Sequence, residues 1–593
     1  MKKILNPAER LFEWLHDKLD KKQFLILASM LVGLTAGLAA VVLKSTVHFL
    51  EETFTHDYHI AHQFLFYLIL PVIGILLCVF FVQKFQKGKL GRGNSNILYA
   101  IAKKSSFLPR DQMYSHVITS ALTIGFGGSA GLESPIVTTG AAIGSNFSKT
   151  YKVTYKERTL LLACGAAAGI AAAFNAPIAG VLFALEVLLA DVSVSAFIPI
   201  LIAAATGALC SKIILNDGIL VTFKLQQAFN YHNVPWYILL GILAGLLSVY
   251  YARIFPAVES FFKRRKKMPY MTAIVAGIFL ALLIWLFPTL YGEGYSSLKF
   301  LADGHPETLM KNSFFSGYSN IPLFVLIFVT AVMLVKVFAA AATIGGGGNG
   351  GNFAPSLFVG GYLGFVFSHG MNMTGILDLP VANFTIVAMA GMIAGIMHAP
   401  LTGIFLIAEI TGGYELMIPL MIVSAFSYSI VRYFEPFSMD TKKLAQKGHI
   451  FTHDKDRNIL STLKVRKIIE TNFETLTPEM TLGELVKVVA VSSRNIFPVL
   501  GTEDELVGIL LMDNIREVMF DHSKYDTVKV KQLMRPPAAI VQPDDDMISV
   551  MKKFDDTGAW NLPVVENDMY IGFISKSGLL TKYRSQLIRR TAE

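Results

Sequence analysis

Thr123-Ile124-Gly125-Phe126-Gly127-Gly128-Ser129-Ala130-Gly131-Leu132-Glu133-Ser134-Pro135 lies between two apolar segments, and the rest of the chain is organised around it. Its glycines let the backbone turn N–H groups inward, and Ser134-Pro135 suits the start of a helix, whose first turn carries a partial positive charge. A turn of this kind attracts anions. Glu133 is its one acid, and an acid at membrane depth is a functional residue by default.

The stretch recurs. Thr343-Ile344-Gly345-Gly346-Gly347-Gly348-Asn349-Gly350-Gly351-Asn352-Phe353-Ala354-Pro355 matches it at Thr, Ile, three glycines of the turn, Gly131/Gly351 and Pro135/Pro355, all at one offset. The register continues through Gly140/Gly360, Gly144/Gly364 and Ser148/Ser368. A second pair follows in the same order: Phe174-Asn175-Ala176-Pro177 leads to Glu186 with the spacing by which His398-Ala399-Pro400 leads to Glu409. A proline break inside an apolar region predicts two half-length helices at a polar joint, which lipid tolerates only where protein or a cavity satisfies the backbone. Duplicated halves with interrupted helices are the plan of many transporters, in which half-helix N-termini converge on an ion near the midplane. Because Glu133 is matched by Phe353, one copy supplies a titratable group and its twin only backbone and an apolar ring.

Composition sets the solvent. Hydrophobic residues are 53% of the 593, charged residues 16%, and apolar runs begin near Phe24, Phe64, Phe197, Trp236, Met271, Leu323 and Met417. Runs of about 18 or more apolar residues span a bilayer. Residues up to Gln23 read as an interfacial amphipathic helix rather than a removable signal, because the first apolar run is long enough to span. The excess of 52 Lys+Arg over 43 Asp+Glu clusters beside spans, as in Lys263-Arg264-Arg265-Lys266-Lys267, and reads as cytoplasmic flank rather than as a nucleic-acid surface. Cys78, Cys164 and Cys210 stand in apolar segments without metal-ligand spacing, which predicts buried thiols and no metal.

From about residue 446 the chain alternates short β-rich runs with amphipathic helices. Phe497-Pro498-Val499-Leu500 followed by Leu506-Val507-Gly508-Ile509-Leu510 parallels Leu562-Pro563-Val564-Val565 followed by Tyr570-Ile571-Gly572-Phe573-Ile574. Each copy has a helix before and after it, giving an appended α/β pair.

These residues resemble the CLC family of chloride channels and proton-coupled chloride exchangers, and the tail resembles a tandem pair of CBS modules. The resemblance implies an all-α polytopic domain over residues 1–445, built as an inverted repeat with interrupted helices. A small cytoplasmic α/β CBS pair follows over 446–593, the modules at about 462–522 and 528–586. It implies an integral protein of the bacterial inner membrane, a homodimer in the bilayer with chloride as its ligand, no required cofactor, and N-terminus and CBS pair on the cytoplasmic side.

Glu133 falls on the family's external gating glutamate. Leu132 replaces the usual basic residue before it and Ser134 the usual glycine after it. Amides of Gly131, Leu132, Glu133 and Ser134 and of Asn352, Phe353 and Ala354 are expected around the ion, since backbone N–H groups offer positive charge without a cation that would trap it. Arg92 takes the place of an anion-contacting serine, and Asp440 that of the family's inner tyrosine. Val187 occupies the position of the glutamate that carries the internal proton in coupled members. A valine carries no proton, so the expected activity is channel-like chloride conduction gated by protonation of Glu133, with proton-coupled antiport as the alternative. Adenine-nucleotide binding by the CBS pair would draw on Asn514 and Ser575, neither copy having the full Ser/Thr-x-x-Asp set. An intramembrane metalloprotease would need a second histidine at helical spacing from His398, and a divalent-cation carrier several intramembrane carboxylates.

Overall fold

The computed structural model of the chain describes residues 18–55, 60–91, 93–151, 153–189, 194–219, 227–264, 268–311, 313–445, 460 and 463–592. Two compact units result, Met1–Phe451 and Thr452–Glu593. Most of the amphipathic helix expected ahead of Gln23 falls outside the described residues, as does Arg92.

Among the described residues the first unit is built of helices: α1 (Lys21–Thr55), α2 (Ile60–Phe85), α3 (Asn94–Lys103), α4 (Gln112–Ile124), α5 (Glu133–Thr150), α6 (Tyr155–Phe174), α7 (Pro177–Phe183), α8 (Val194–Ile219), α9 (Val234–Lys263), α10 (Pro269–Leu286), α11 (Tyr295–Ala302), α12 (Pro322–Gly345), α13 (Phe353–Asn372), α14 (Val381–Met397), α15 (Pro400–Ile410), α16 (Met417–Phe434) and α17 (Met439–Ala445). Eight helices among the described residues are long and apolar enough to cross a membrane. Seven contain or closely follow the expected starts. The eighth, α6, is a run of alanine and glycine buried from Leu161 to Phe174, and it escapes a reading by apolar runs because small residues carry little hydropathy.

The interruptions form where they are expected. Asn175 and His398 take left-handed φ of 53° and 56°, which ends α6 and α14. Pro177 and Pro400 then open α7 and α15 at a position where the missing N–H costs nothing. Glycines let the long helices approach, for a Cβ at Gly144 would stand 2.0 Å from the Leu161 carbonyl, and one at Gly364 2.1 Å from that of Phe384. Helix α5 therefore packs on α6, and α13 on α14, at backbone contact distance.

The two copies are related by reciprocal bonds. Ser129 N–H donates to Thr343 Oγ1 at 3.2 Å, and Asn349 N–H to Thr123 Oγ1 at 3.0 Å. Gly131 N–H donates to the Gly351 carbonyl at 3.0 Å, and Gly351 N–H to the Gly131 carbonyl at 2.8 Å. Gly127 and Gly347, at φ 88° and 110°, make the turns that permit this.

The second unit holds α18 (Leu482–Val491), β1 (Ile496–Leu500), β2 (Leu506–Leu511), α19 (Met512–Ile515), α20 (Val530–Leu533), α21 (Met547–Thr557), β3 (Asn561–Glu566), β4 (Met569–Ser575) and α22 (Lys576–Ala592). Strands β1 and β2 pair antiparallel, as do β3 and β4, and Leu476 and Val541 make matching parallel bridges to Val499 and Val564. The modules interlock: Glu470 exchanges both backbone bonds with Phe573 on β4, and Arg535 does so with Ile509 on β2. Each module has its own apolar core, Phe497, Val499 and Leu510 in the first and Leu562, Val564 and Ile574 in the second.

Candidate functional site

The paired glycine turns bring the starts of α5 and α13 together. In both helices the third residue is a proline, Pro135 and Pro355, so each start presents N–H groups only from its first two residues and the residue before. Not all of the amides in and just ahead of these starts are free. The Gly131 amide is used by the bond to Gly351. The Leu132 amide donates to Glu293 Oε1 at 2.9 Å. The expectation that these two face an ion is therefore corrected: the pairing that joins the copies takes one, and an acid from a distant segment takes the other. The amides of Glu133, Ser134, Asn352, Phe353 and Ala354 have no main-chain acceptor among the described residues.

Glu133 is 3% exposed and folds back onto this joint. Its Oε1 accepts the Tyr295 hydroxyl at 2.5 Å. Its Oε2 lies where a Cβ on Gly131 would be 2.2 Å from it and 3.0 Å from the Ala354 nitrogen, and the N–H groups of Glu133 and Ala354 face it. Gly131 is thus glycine because the carboxylate takes the space a side chain would need. The carboxylate rests against the two helix starts as a small anion would.

A cavity of about 660 Å³ reaches this joint, lined by Glu133, Ser134, Asn352 and Phe353 and also by Glu259, Lys263 and Asp440. Phe353 packs on Phe174 at 5.5 Å between ring centroids, and Phe174 meets the Tyr295 ring edge-on at 6.4 Å. Asp440 lines the cavity with Oδ2 accepting Asn94 Nδ2 at 3.0 Å, and the Lys263 ammonium pairs with Glu259 at 2.5 Å. Gly93, Asn94 and Ser95, beside Arg92, line the same space.

Val187 is half-buried against the main core in a π-turn, Ala184–Leu188, that extends α7. Glu186 beside it accepts Leu401 N–H at 3.1 Å, Thr402 N–H at 2.9 Å and the Thr402 hydroxyl at 2.8 Å. Glu409 reciprocates, accepting Ile178 N–H at 3.0 Å and Ala179 N–H at 2.8 Å. Each copy's acid caps the half-helix of the other, which satisfies four amides that lipid would leave unpaired.

In the second unit, Asn514 Nδ2 donates to the Leu533 carbonyl at 3.1 Å. The Ser575 hydroxyl donates to Glu470 and accepts Gly578 N–H at 3.0 Å, while Arg494 pairs with Glu470 at 2.9 Å. Both sequence-predicted nucleotide residues are engaged within the unit. Among the described residues no group of three His, Cys, Asp or Glu side chains could hold a metal.

Sequence reasoning misses Glu293, Tyr295 and Lys44. The available signal is Gly292-Glu293-Gly294, an acid between glycines in an otherwise apolar region.

The geometry has a family counterpart. Residues 74–432 match the model of the voltage gated chloride channel family. The chain belongs to that family. It is a multi-pass chloride-transport protein of the CLC family, and two CBS domain matches follow at residues 465–521 and 530–585. The chain is 29% identical to the H(+)/Cl(-) exchange transporter ClcA of Vibrio cholerae over 423 residues, 68% of this chain and 86% of that protein. It is 29% identical to the voltage-gated ClC-type chloride channel ClcB of Escherichia coli over 324 residues, 53% of this chain and 71% of that protein. The crystal structure of a slow cyanobacterial Cl-/H+ antiporter matches the fold with a TM-score of 0.61 at 22% identity, covering 72% of this chain and 99% of that one.

Proposed function

We propose that this CLC protein exchanges chloride for protons, with Glu133 as the residue that alternately holds a proton and competes with the anion for the joint between α5 and α13. The observation that carries the reading is the position of the Glu133 carboxylate, bonded to Tyr295 and lying between Gly131 and the Ala354 amide. Ionised, it fills the berth as a tethered anion; protonated, it loses its attraction for the amides and gives way to chloride, held by the N–H groups of Glu133, Ser134, Asn352, Phe353 and Ala354. One group that must take a proton for each anion admitted is the minimum apparatus of coupling. Conduction without coupling, the reading Val187 favours, is supported by the ClcB relative, whereas exchange is supported by the ClcA relative, which the chain matches over more of both lengths. We take the protein to act as a homodimer with its N-terminus and CBS pair in the cytoplasm.

The test is the reversal potential of reconstituted protein under opposed chloride and pH gradients. Exchange moves it when the proton gradient alone is changed; a potential that follows chloride only would establish conduction and return the weight to Val187. Separately, Glu133→Gln is expected to make chloride flux independent of external pH and uncoupled from protons. Retention of the wild-type pH profile would remove Glu133 from the role given to it.

A further inference from the structure

Behind the berth stands a set of buried charges that anion coordination does not use. Glu293 Oε1 holds the Leu132 amide, one peptide before Glu133, at 2.9 Å. Tyr295, two residues on, donates to Glu133. Gly294 between them has φ 90°, and a Cβ there would lie 2.6 Å from the Phe358 ring, so the segment is pinned in the turn that aims both side chains at the start of α5. The Lys44 ammonium on α1 bonds the Ala173 carbonyl and stands in electrostatic reach of both Glu133 and Glu293. Lys336 on α12 is 0% exposed; its ammonium bonds the Gly292 and Glu293 carbonyls at 3.3 and 3.4 Å and lies 4.6 Å over the Phe358 ring. Glu51, two turns along α1 from Lys44, also interacts with Glu293 through charge.

We propose that Glu293 is a second acid of the transport site, a positioning residue that never touches chloride but sets, against Lys44, how readily Glu133 takes its proton. Glu133 and Glu293 both interact through charge with the Lys44 ammonium. Two carboxylates buried beside one lysine are costly to ionise together. A proton taken by one of the two carboxylates therefore relieves the other. Glu293 is the member placed to matter for transport, because its charge lies beside the peptide that leads into Glu133 and its bond to Leu132 keeps it there. A lone cap on a helix start would not need a lysine shared with the neighbouring acid.

The inference rests on the gate reading of Glu133, and the experiment separates the two. Chloride flux in proteoliposomes is measured against external pH for Glu293→Gln, Glu293→Asp and Lys44→Met, each alone and combined with Glu133→Gln. The side-chain carbonyl introduced by Glu293→Gln still offers an oxygen to the Leu132 amide, so a purely structural role predicts no change. Loss of a like charge at this range makes Glu133 harder to protonate, and the flux midpoint is expected to move about one pH unit acidward in Glu293→Gln. Loss of the opposite charge in Lys44→Met moves it about one unit alkaline. Glu293→Asp keeps the wild-type midpoint, and both shifts vanish with Glu133→Gln. Unmoved midpoints, or shifts of the same sign, overturn this inference alone. If Glu133→Gln by itself keeps the wild-type pH profile, the gate reading fails first. Should Glu293→Gln not reach the membrane, the sign of the Lys44→Met shift decides.

Discussion

If Glu133 is the group that alternates with the anion, as proposed, two demands meet there: a carboxylate buried at 3% exposure must be held, and it must be able to leave. The Tyr295 hydroxyl supplies the holding force at 2.5 Å, and a hydrogen bond to an ionised group contributes about 1.5–3 kcal/mol. That bond favours the charged form, so Tyr295→Phe is expected to shift the flux midpoint alkaline by about one to two pH units. A midpoint unchanged in Tyr295→Phe proteoliposomes would mean that the amides alone hold the carboxylate. Glu186 gives a contrasting case. It stands one residue before Val187, and both its oxygens are committed to Leu401 and Thr402. On the proposed exchange reading, Glu186→Gln, which keeps one acceptor, should retain both chloride flux and proton coupling; loss of coupling with flux intact would make it a proton carrier.

Among the elements, the crosswise caps do more than close helix ends. Because Glu409 serves the start of α7 and Glu186 the start of α15, neither interrupted helix is complete without the other copy. Glu409→Ala would orphan the Ile178 and Ala179 amides at a cost of about 1–3 kcal/mol each, visible as a lowered thermal midpoint in detergent. Glu186→Ala should cost a similar amount, and the double variant less than the sum if the two half-helices melt together. In the second unit the exposed Glu479 is drawn down to about 2 from an ordinary 4.5 by hydrogen bonds to Lys529 and Lys531. A depressed carboxyl contributes stability above its unfolded value and loses it as pH falls through the folded one. Hydrogen exchange over residues 476–485 should therefore quicken in Glu479→Gln relative to wild type at neutral pH, with the difference fading below about pH 4 and in high salt.

On the scale of the whole molecule, the chain is two units of different architecture. In the membrane unit no single half could function, since the berth is assembled from the start of α5 in one copy and of α13 in the other. In the CBS unit, Glu470 holds Ser575 and Arg494 holds Glu470, so the polar groups there already have partners. Full-length protein is accordingly expected to give no saturable heat with ATP or AMP; a micromolar isotherm would show that this pair opens. Much of this architecture is legible in the amino-acid order. The duplicated glycine turns, the Asn-Ala-Pro and His-Ala-Pro breaks, the apolar spans and the CBS repeat all follow local rules, since glycine and proline act on their own φ and hydropathy accumulates along a segment. Glu133 is legible too, as an acid in an anion-attracting turn. Which amides stay free is not, because Gly131 and Leu132 lose theirs to Gly351 and Glu293, and the latter lies 161 positions away. Sequence alone determined the membrane class, the repeat and the acid at its centre, each written in neighbouring residues. Only the tertiary structure decided the partners of that acid, Tyr295, Glu293 and Lys44, because a charge acts through space, and the distance that sets its energy is fixed by how remote segments pack.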